Sequence, residues 1–569
     1  MKYGDFVVLY ETLAGTTKKL EKISILASFL PQLKGQEELV YLLRGRVFPD
    51  YDVREIGIST QLAIKAIARA SATDAVKVTK EFSRMGDLGD VAAHLLGHKK
   101  QSALYHRDLT AEHVFASLSA LAAIEGKGTV DKKMSIISEL LISARPEEAR
   151  YLVRTILSDL RVGVADAILV EAVVLAFLPD SEGLLEKVER TYGLVNDFAE
   201  ILSMAIKGPR SFEHARLIPG RPVQVMLAVK ADDLEDGFRI CGRPCVFEHK
   251  YDGFRMLVNF DGKEFKLFTR RLEDVTKQFP DVLDAVRGHV RGESFILDCE
   301  AVGFDAKHEK YLPFESISQR IKRKYDIDDL ARTLPVELNV FDILYYNGEA
   351  LVSQPFSSRR ALIEKIIKQK PWAIRLAKQI ITGTLEVAER FYRDALKIGE
   401  EGVMIKRIDA PYHPGRYVGY MAKLKPAKQD LDLVIVGAEY GTGKRAGGLT
   451  SFTLACRSNG DFLEVGNVSS GLKEKKGVEG TTYSELDEIL QKIVVKRTGN
   501  TVHVKPKVVV SVTYQNIQPS PTYSSGFALR FPRISHYRPE RGTKDIASLE
   551  DIKKELSKQR TKNTGAHSL

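Results

Sequence analysis

A chain of 569 residues is too long for one core, and the usual domain size divides it into about three or four units. Lys and Arg outnumber Asp and Glu by 85 to 75, a formal charge of +10 that suits a polyanionic partner and equally suits plain solubility. The four cysteines, Cys241, Cys245, Cys299 and Cys456, are too dispersed for a four-ligand zinc site and fit a reducing compartment. Asp5 and Glu11 interrupt any secretory leader, and the most apolar run, "ILVEAVVLAFL", carries Glu171 and is too short for a bilayer, so a soluble intracellular protein is expected.

Residues 1 to about 215 read as successive helices. Leu20, Ile23, Ala27 and Leu30 fall on one face before Pro31. In "DLTAEHVFASLSALAAIEG", Thr110 is placed to cap a helix, Val114, Leu118 and Leu121 recur at helical spacing, and Gly126 is placed to close it in a left-handed conformation. These stripes imply a core and no chemistry.

Pro219, Gly220 and Pro222 in "RLIPGRPVQVMLA" mark a linker, after which the pattern turns to strands. "MLVNFDGKEFKLFTRR" predicts two strands around an Asp-Gly turn, and "FILDCEAVGFD", "PVELNVFDILYYNG" and "EGVMIKR" predict more. Beyond "KLKPAKQD", "LDLVIVGAEY", "SFTLACRS", "FLEVGNVSSGL" and "HVKPKVVVSVTYQNIQ" are sized for a small barrel. A last helix, "SLEDIKKELSKQ", opens on Ser548 and Asp551 as a capping box, ahead of a polar tail expected to be disordered. The expected organisation is an all-α domain over 1–218, an α/β domain over 219–426, and a β-barrel with a C-terminal helix over 427–569.

The stretch "FEHKYDGFR" sets Lys250 in an apolar strand ahead of Asp252 and a turn glycine. A lysine is a poor nucleophile while protonated, and making half of it neutral at pH 7 requires a shift of roughly 3 units, about 4 kcal/mol. Partial burial and nearby cations push that way, and Lys423 and Lys425 in "MAKLKPAK" alternate on one face as candidate neighbours. The bland alternative is an edge-strand lysine whose ammonium reaches water. Lys-x-Asp-Gly-x-Arg arises by chance on the order of once in a hundred such chains, which favours chemistry.

Further blocks follow in a fixed order: "FTRRLEDVTKQFPDV", "LDCEAVGFD", "VFDILYYNG", "EGVMIKR", "AKLKPAK" and "FALRFPRI". Together with "KYDGFR" they resemble the nucleotidyltransferase motifs of ATP-dependent DNA ligases, in the layout of the replicative archaeal and eukaryotic enzymes, over nearly the whole chain. "GDLGD" at 86–90 and "RTILSDLRVGVAD" at 154–166 resemble the helical DNA-binding domain ahead of that core. The resemblance implies an all-α DNA-binding domain, an adenylation domain and an OB-fold barrel that together encircle a nick, with the barrel swinging over the nucleotide and away again. It implies attack of Lys250 on the α-phosphate of ATP, transfer of AMP to the 5′-phosphate of nicked duplex DNA, and sealing by the 3′-hydroxyl, in replication, repair and recombination.

The resemblance also implies roles. Lys250 is the nucleophile, with Asp252 beside it at the catalytic centre. Glu248 accepts from the adenine amino group and Phe341 offers a stacking face, against plain readings as a strand-end charge and a core aromatic. Arg255 holds the ribose or phosphate and Arg270 the 5′-phosphate of the nick, or both are ordinary surface arginines. Glu300 and Glu401 bind the ribose hydroxyl and a Mg²⁺ ion, with Mn²⁺ as an alternative, and Asp298 shares the Glu300 face. Lys423 and Lys425 neutralise charge on the α-phosphate, and Arg530, Arg533 and Arg538 align pyrophosphate.

His536, Arg541 and Asn516 stand where the family pattern has an arginine, a lysine and an acid, so no catalytic role is given to them. "AEYGTGKRAGG" is rejected as a phosphate loop because Ala438 and Arg445 occupy key positions, and "CGRPC" reads as two unpaired thiols. Gln101, Leu104 and Tyr105 in "QSALYHRDLT" at 101–110 loosely fit a sliding-clamp-binding segment, against a plain interhelical loop. A monomer in the cytoplasm, associated with the nucleoid, is expected. An RNA ligase or capping guanylyltransferase would share the lysine but has no use for about 215 helical residues. An inert DNA-binding scaffold has no reason to keep Lys250, and an NAD-dependent ligase would need a zinc site these cysteines cannot make.

Overall fold

The computed structural model describes all residues except 53, 98–107, 125, 127, 180–182, 214–215, 322, 324, 416–418, 427–429, 442–446, 475–480 and 565–569, and only the backbone of 315 and 558–564. The chain divides into two units, Met1–Phe391 with Val403–Leu424, and Tyr392–Gly402 with Lys425–Leu569. The sliding-clamp residues Gln101, Leu104 and Tyr105, residues 442–446 of the rejected phosphate loop and the end of the polar tail lie outside the described residues.

In the first unit, helices from Tyr3–Ala14 to Phe198–Lys207 surround one apolar core. Thr110 caps the helix Ala111–Ala122 by accepting from the His113 N–H, and Val114, Leu118 and Leu121 are fully buried. Two local expectations are corrected. Ile23, Ala27 and Leu30 are buried, but Leu20 is 78% exposed, because it stands in the first turn of the helix Lys19–Phe29 where no layer covers it. Gly126 does take a left-handed φ of 85°, but in the turn beyond; the helix has already ended at Ala123 in a right-handed conformation. The blocks at 86–90 and 154–166 meet: Asp87 pairs with Arg154 and Arg161, and Asp90 with Arg150 and Arg154.

The rest of this unit is built on two sheets. One has the order β1 (Val229–Lys230), β12 (Met421–Leu424), β11 (Gly402–Lys406), β2 (Cys245–Lys250), β10 (Gln379–Thr382). The other runs β4 (Phe265–Thr269), β3 (Phe254–Phe260), β5 (Phe295–Asp305), β7 (Val336–Tyr346), β8 (Glu349–Ala350), with β6 (Lys310–Tyr311) on β5 and β9 (Ile374–Leu376) on β7. β3 and β4 form the expected hairpin, its turn held by the Asp261 carboxylate accepting from the N–H groups of Lys263 and Glu264. The strongly apolar β3, β5 and β7 are covered on both faces, which is why their sequences run hydrophobic rather than alternating. No helix among the described residues is long and apolar enough to cross a membrane.

The second unit is a curled half-barrel sheet, β15 (Asp461–Val468), β14 (Leu449–Ser458), β13 (Asp430–Tyr440), β17 (Thr501–Thr513), β16 (Val494–Thr498), with β20 (Arg533–Tyr537) also on β17 and β18 (Ile517–Pro519) paired to β19 (Phe527–Leu529). β17 contains Pro506, which has no N–H to give a ladder. Its register on β13 jumps at that point, from Ile435↔Val508 to Gly437↔His503, so the proline sits in an irregularity that bends the strand. The helix Leu549–Thr564 opens with the expected box: Asp551 accepts from the Ser548 N–H, and Ser548 Oγ accepts from the Asp551 N–H.

Candidate functional site

β2 is apolar enough to be buried through His249, and its last residue, Lys250, is half-buried at the edge of that cover. The backbone of Lys378 brackets Lys250: its carbonyl accepts from the His249 N–H at 2.9 Å, and its N–H donates to the Tyr251 hydroxyl at 3.0 Å. Asp252 and Gly253 then turn the chain into β3. A Cβ on Gly253 would stand 2.4 Å from the Ala301 carbonyl and 3.0 Å from Glu300 Cγ, so only glycine lets the turn lie against β5.

Facing this strand end, β7 carries a bulge. Cys299 pairs with Val340 and Asp298 with Asp342, which leaves Phe341 as the extra residue. A bulge re-aims a side chain, and Phe341 leaves the sheet core to pack by Tyr251, Val302 and Ala377. The Lys406 ammonium lies 4.6 Å from the centre of its ring and the Arg255 guanidinium 5.3 Å. Asp342, next in the chain, is locked by Arg359 through Nε at 2.7 Å and Nη2 at 3.0 Å, a fully buried pair that fixes the strand on the far side of the bulge.

Arg255 stands opposite Glu300 in the β3–β5 register. Its guanidinium donates to both Asp298 oxygens, to the Met226 carbonyl and to the Tyr412 hydroxyl, which itself donates to Asp298 at 2.7 Å. Burial by itself would lower the Arg255 pKa, but Asp298, Tyr412 and Glu300 together outweigh it and hold the group above its ordinary value. Asp298, expected only to share a face with Glu300, is therefore the anchor of Arg255, and Arg255 is set more rigidly than a surface arginine.

Glu248 is 2% exposed. Its Oε1 accepts from Lys406 Nζ at 2.5 Å, while Oε2 is buried with no hydrogen-bond partner among the described residues. Burial pushes its carboxyl pKa up, and Lys406 pulls it back. A buried acceptor left unmade costs about 1–3 kcal/mol, so this oxygen marks a place for a donor from outside the chain. Lys406 is the residue the motif reading passed over. The available signal was a lysine ending an apolar strand, the same feature that singled out Lys250.

The other expected residues are distributed. Lys423, on β12, stands opposite Met404 of β11 and Lys230 of β1, so β11 separates it from β2. Lys425 belongs to the second unit, where its Nζ is 2.6 Å from Glu401 Oε2 and Gln515 donates to the other Glu401 oxygen at 3.0 Å. Glu300 belongs to the first unit. Arg270, after β4, lines a different cleft of about 980 Å³ together with Arg271, Arg44 and Arg54. There Arg44 and Arg54 are paired with aspartates, whereas Arg270 and Arg271 have no ion pair among the described residues. In the second unit Arg530 is buried beside Phe531, Arg533 is exposed at the start of β20, Arg538 pairs with Glu540, and Arg541 pairs with Asp432. His536 faces Ser511, and the Asn516 carbonyl accepts from the Arg530 N–H. All four cysteines are free thiols and buried.

No group of three or more His, Cys, Asp or Glu among the described residues makes a metal cage. The expected carboxylates, Glu300 and Glu401, are hard oxygen donors of the kind Mg²⁺ takes together with substrate phosphates.

Three family models match the chain: "DNA ligase N terminus" over residues 2–174, "ATP dependent DNA ligase domain" over 225–425, and "ATP dependent DNA ligase C terminal region" over 445–541. Among curated proteins, a DNA ligase of Nanoarchaeum equitans (strain Kin4-M) is 45% identical over 565 residues, covering 98% of this chain and 99% of that protein. A DNA ligase of Thermococcus fumicolans is 39% identical, covering 97% and 98%. The solved structure "Pmar-Lig_PreS3" shares the fold with a TM-score of 0.57 at 16% identity, over 94% of this chain and 99% of its own.

Proposed function

The chain belongs to the archaeal-type ATP-dependent DNA ligases, which seal nicks in duplex DNA through a covalent adenylate, and on that premise we propose that Lys250 carries the adenylate and that Glu248 and Phe341 receive the base. The observation that carries this reading is the unpartnered Oε2 of buried Glu248, on the strand that ends in Lys250 and beside the residue bulged out of β7. Adenine supplies the missing donor through its amino group, and Phe341 supplies a face.

Neutral Lys250 Nζ attacks the α-phosphorus of ATP; the N–P bond forms as the P–O bond to pyrophosphate breaks, and the amine proton leaves to solvent. A 5′-phosphate oxygen of the nick then displaces the lysine, and the 3′-hydroxyl displaces AMP to close the strand. The detour through lysine converts a phosphate that leaves poorly into one activated by AMP. Asp252 sits in the turn that holds Lys250 in place. Arg255, clamped by Asp298, borders the base pocket toward the ribose, and Glu300 opposite it takes a ribose hydroxyl. Arg270 receives the 5′-phosphate of the nick, supported by its having no ion pair among the described residues in a cleft of mixed charge where Arg44 and Arg54 are already paired with aspartates. Lys423 and Lys425 offset charge on the α-phosphate, and Arg530 and Arg533 align pyrophosphate.

Glu300 and Glu401 are the residues to hold Mg²⁺, which when bound neutralises phosphate charge and orients the leaving group. Three domains, 1–218, 219–426 and 427–569, form the working division. A sliding-clamp contact at 101–110, a monomeric state and association with the nucleoid complete the proposal. Stimulation of sealing by added clamp, sedimentation of the free protein and co-fractionation with DNA read these out.

The deciding experiment incubates the protein with α-labelled ATP and Mg²⁺, then adds nicked duplex. Label should join Lys250 and pass to sealed product, and Lys250→Ala should take none, with sealing down roughly 10⁴-fold or more. Covalent label retained by Lys250→Ala would overturn the assignment.

A further inference from the structure

Giving Glu248 the adenine amino group leaves unexplained why β11 ends in a buried ammonium. Lys406 is 5% exposed. Its Nζ donates to Glu248 Oε1 at 2.5 Å and otherwise faces two aromatic rings, Phe341 at 4.6 Å and Phe356 at 4.9 Å from the ring centres. Burying an ammonium is costly, and aromatic faces repay only part of that cost. A lysine ammonium also has more N–H donors than one carboxylate oxygen uses. An unspent donor and the unpartnered Glu248 Oε2 therefore stand side by side against Phe341.

We infer that Glu248 and Lys406 together read the Watson–Crick edge of the base, with Glu248 accepting from adenine N6 and Lys406 donating to adenine N1, so that Lys406 is the residue that selects ATP over GTP. This rests on the placement of Lys250 and Glu248 given above. Adenine presents a donor at C6 and an acceptor at N1, and guanine presents the reverse, an O6 acceptor and an N1–H donor. Attachment through the α-phosphate to Lys250 fixes which way the base enters. Guanine would then set O6 against a carboxylate and N1–H against an ammonium, two like-polarity contacts away from water, and a site built on hydrogen bonds rejects such a mismatch strongly. Lys406 has a second effect on the same choice. Burial pushes the Glu248 carboxyl up, Lys406 is the main group opposing it, and Arg360 follows. Without Lys406 the carboxyl holds its proton more readily and gains an O–H that guanine O6 accepts.

The test measures single-turnover labelling of the full chain with α-labelled ATP, GTP and 1-deaza-ATP, in which a C–H replaces N1. The unmodified protein should lose roughly 10- to 100-fold in kcat/KM on 1-deaza-ATP relative to ATP. Lys406→Met should lose a similar factor on ATP, lose nothing further on 1-deaza-ATP, and show an ATP:GTP preference at least about tenfold smaller. Equal use of ATP and 1-deaza-ATP by the unmodified protein overturns the inference, and that measurement needs no variant to fold. An unchanged ATP:GTP preference in folded Lys406→Met overturns it too. If the unmodified protein takes no label, or takes it away from Lys250, the underlying reading fails and this inference with it; normal labelling of Lys250 with unaltered base preference fails this inference alone.

Discussion

Asp87 in the helical region and Glu248 on β2 are about equally hidden, at 4% and 2% exposure, yet they are completed differently. Asp87 Oδ1 accepts from the Asp90 N–H at 2.8 Å, and Oδ2 takes Arg161 at 2.7 Å, with Arg154 Nε at 3.3 Å from each. Around it the backbone is packed so closely that a Cβ on Gly89 would lie 2.6 Å from the Arg150 carbonyl. Every oxygen of Asp87 is spent on the fold. Glu248 spends one on Lys406 and keeps the other empty. Burial and charge are common to both, so neither separates these two carboxylates; the unmade hydrogen bond of Glu248 is what differs between them.

The largest expected effect is at Glu248. Replacing it with alanine removes the proposed acceptor and strands the Lys406 ammonium without its partner. Labelling by ATP should fall roughly 100-fold or more in kcat/KM, and denaturant unfolding should register a loss of about 3–5 kcal/mol, the usual cost of an uncompensated buried charge. Retention of ordinary ATP labelling in a folded Glu248→Ala would break the comparison, since both carboxylates would then be structural.

Asp87→Ala should separate the two properties. It removes one carboxylate from Arg154 and Arg161, which keep Asp90 and Asp159 as partners and, at 13% and 29% side-chain exposure, let part of their charge reach water. The expected loss is about 2–3 kcal/mol by denaturant titration, below that of a fully buried pair. Covalent labelling of Lys250 should stay within about twofold, because none of the groups around Glu248 touches Asp87. A variant of unchanged stability that failed to label would reverse the roles assigned to the two carboxylates.

What could be read in the sequence follows the range of the interactions. The β3–β4 hairpin was legible because Asp261 and Gly262 form the turn locally, and the Ser548 cap because its partner is three residues away. Lys250 and Glu248 were singled out by the motif in "FEHKYDGFR", and the structure places both on β2. The bulge at Phe341 was not, since it exists only as a mismatch in count between β5 and β7. Lys406 was missed as a partner of Glu248 for the same reason, their separation being 158 residues. The Asp298 clamp on Arg255 spans strands, where face-sharing is predictable but side-chain pairing is not. Leu20 failed because helical periodicity assigns a face and is silent on how far along the helix the covering layer extends.

The smallest effect sharpens the comparison through pH. Burial raises the Glu248 carboxyl from its ordinary 4.5, against the pull of Lys406 and Arg360, while Asp342 adds to the rise. A carboxyl whose pKa is higher in the folded state holds its proton there longer than in the unfolded chain. Its contribution to stability is therefore complete below 4.5 and lost as pH climbs through the raised folded value. Glu248→Gln has no such titration. The stability of the unmodified protein relative to Glu248→Gln, from denaturant titrations across the range above pH 4.5, should decline with rising pH. Saturating AMP should flatten that decline, because an N6–H donor on Oε2 favours the ionised form. A difference that grows with pH would mean that the ion pair with Lys406 already outweighs burial without a ligand, and that the empty oxygen carries no cost for a nucleotide to relieve.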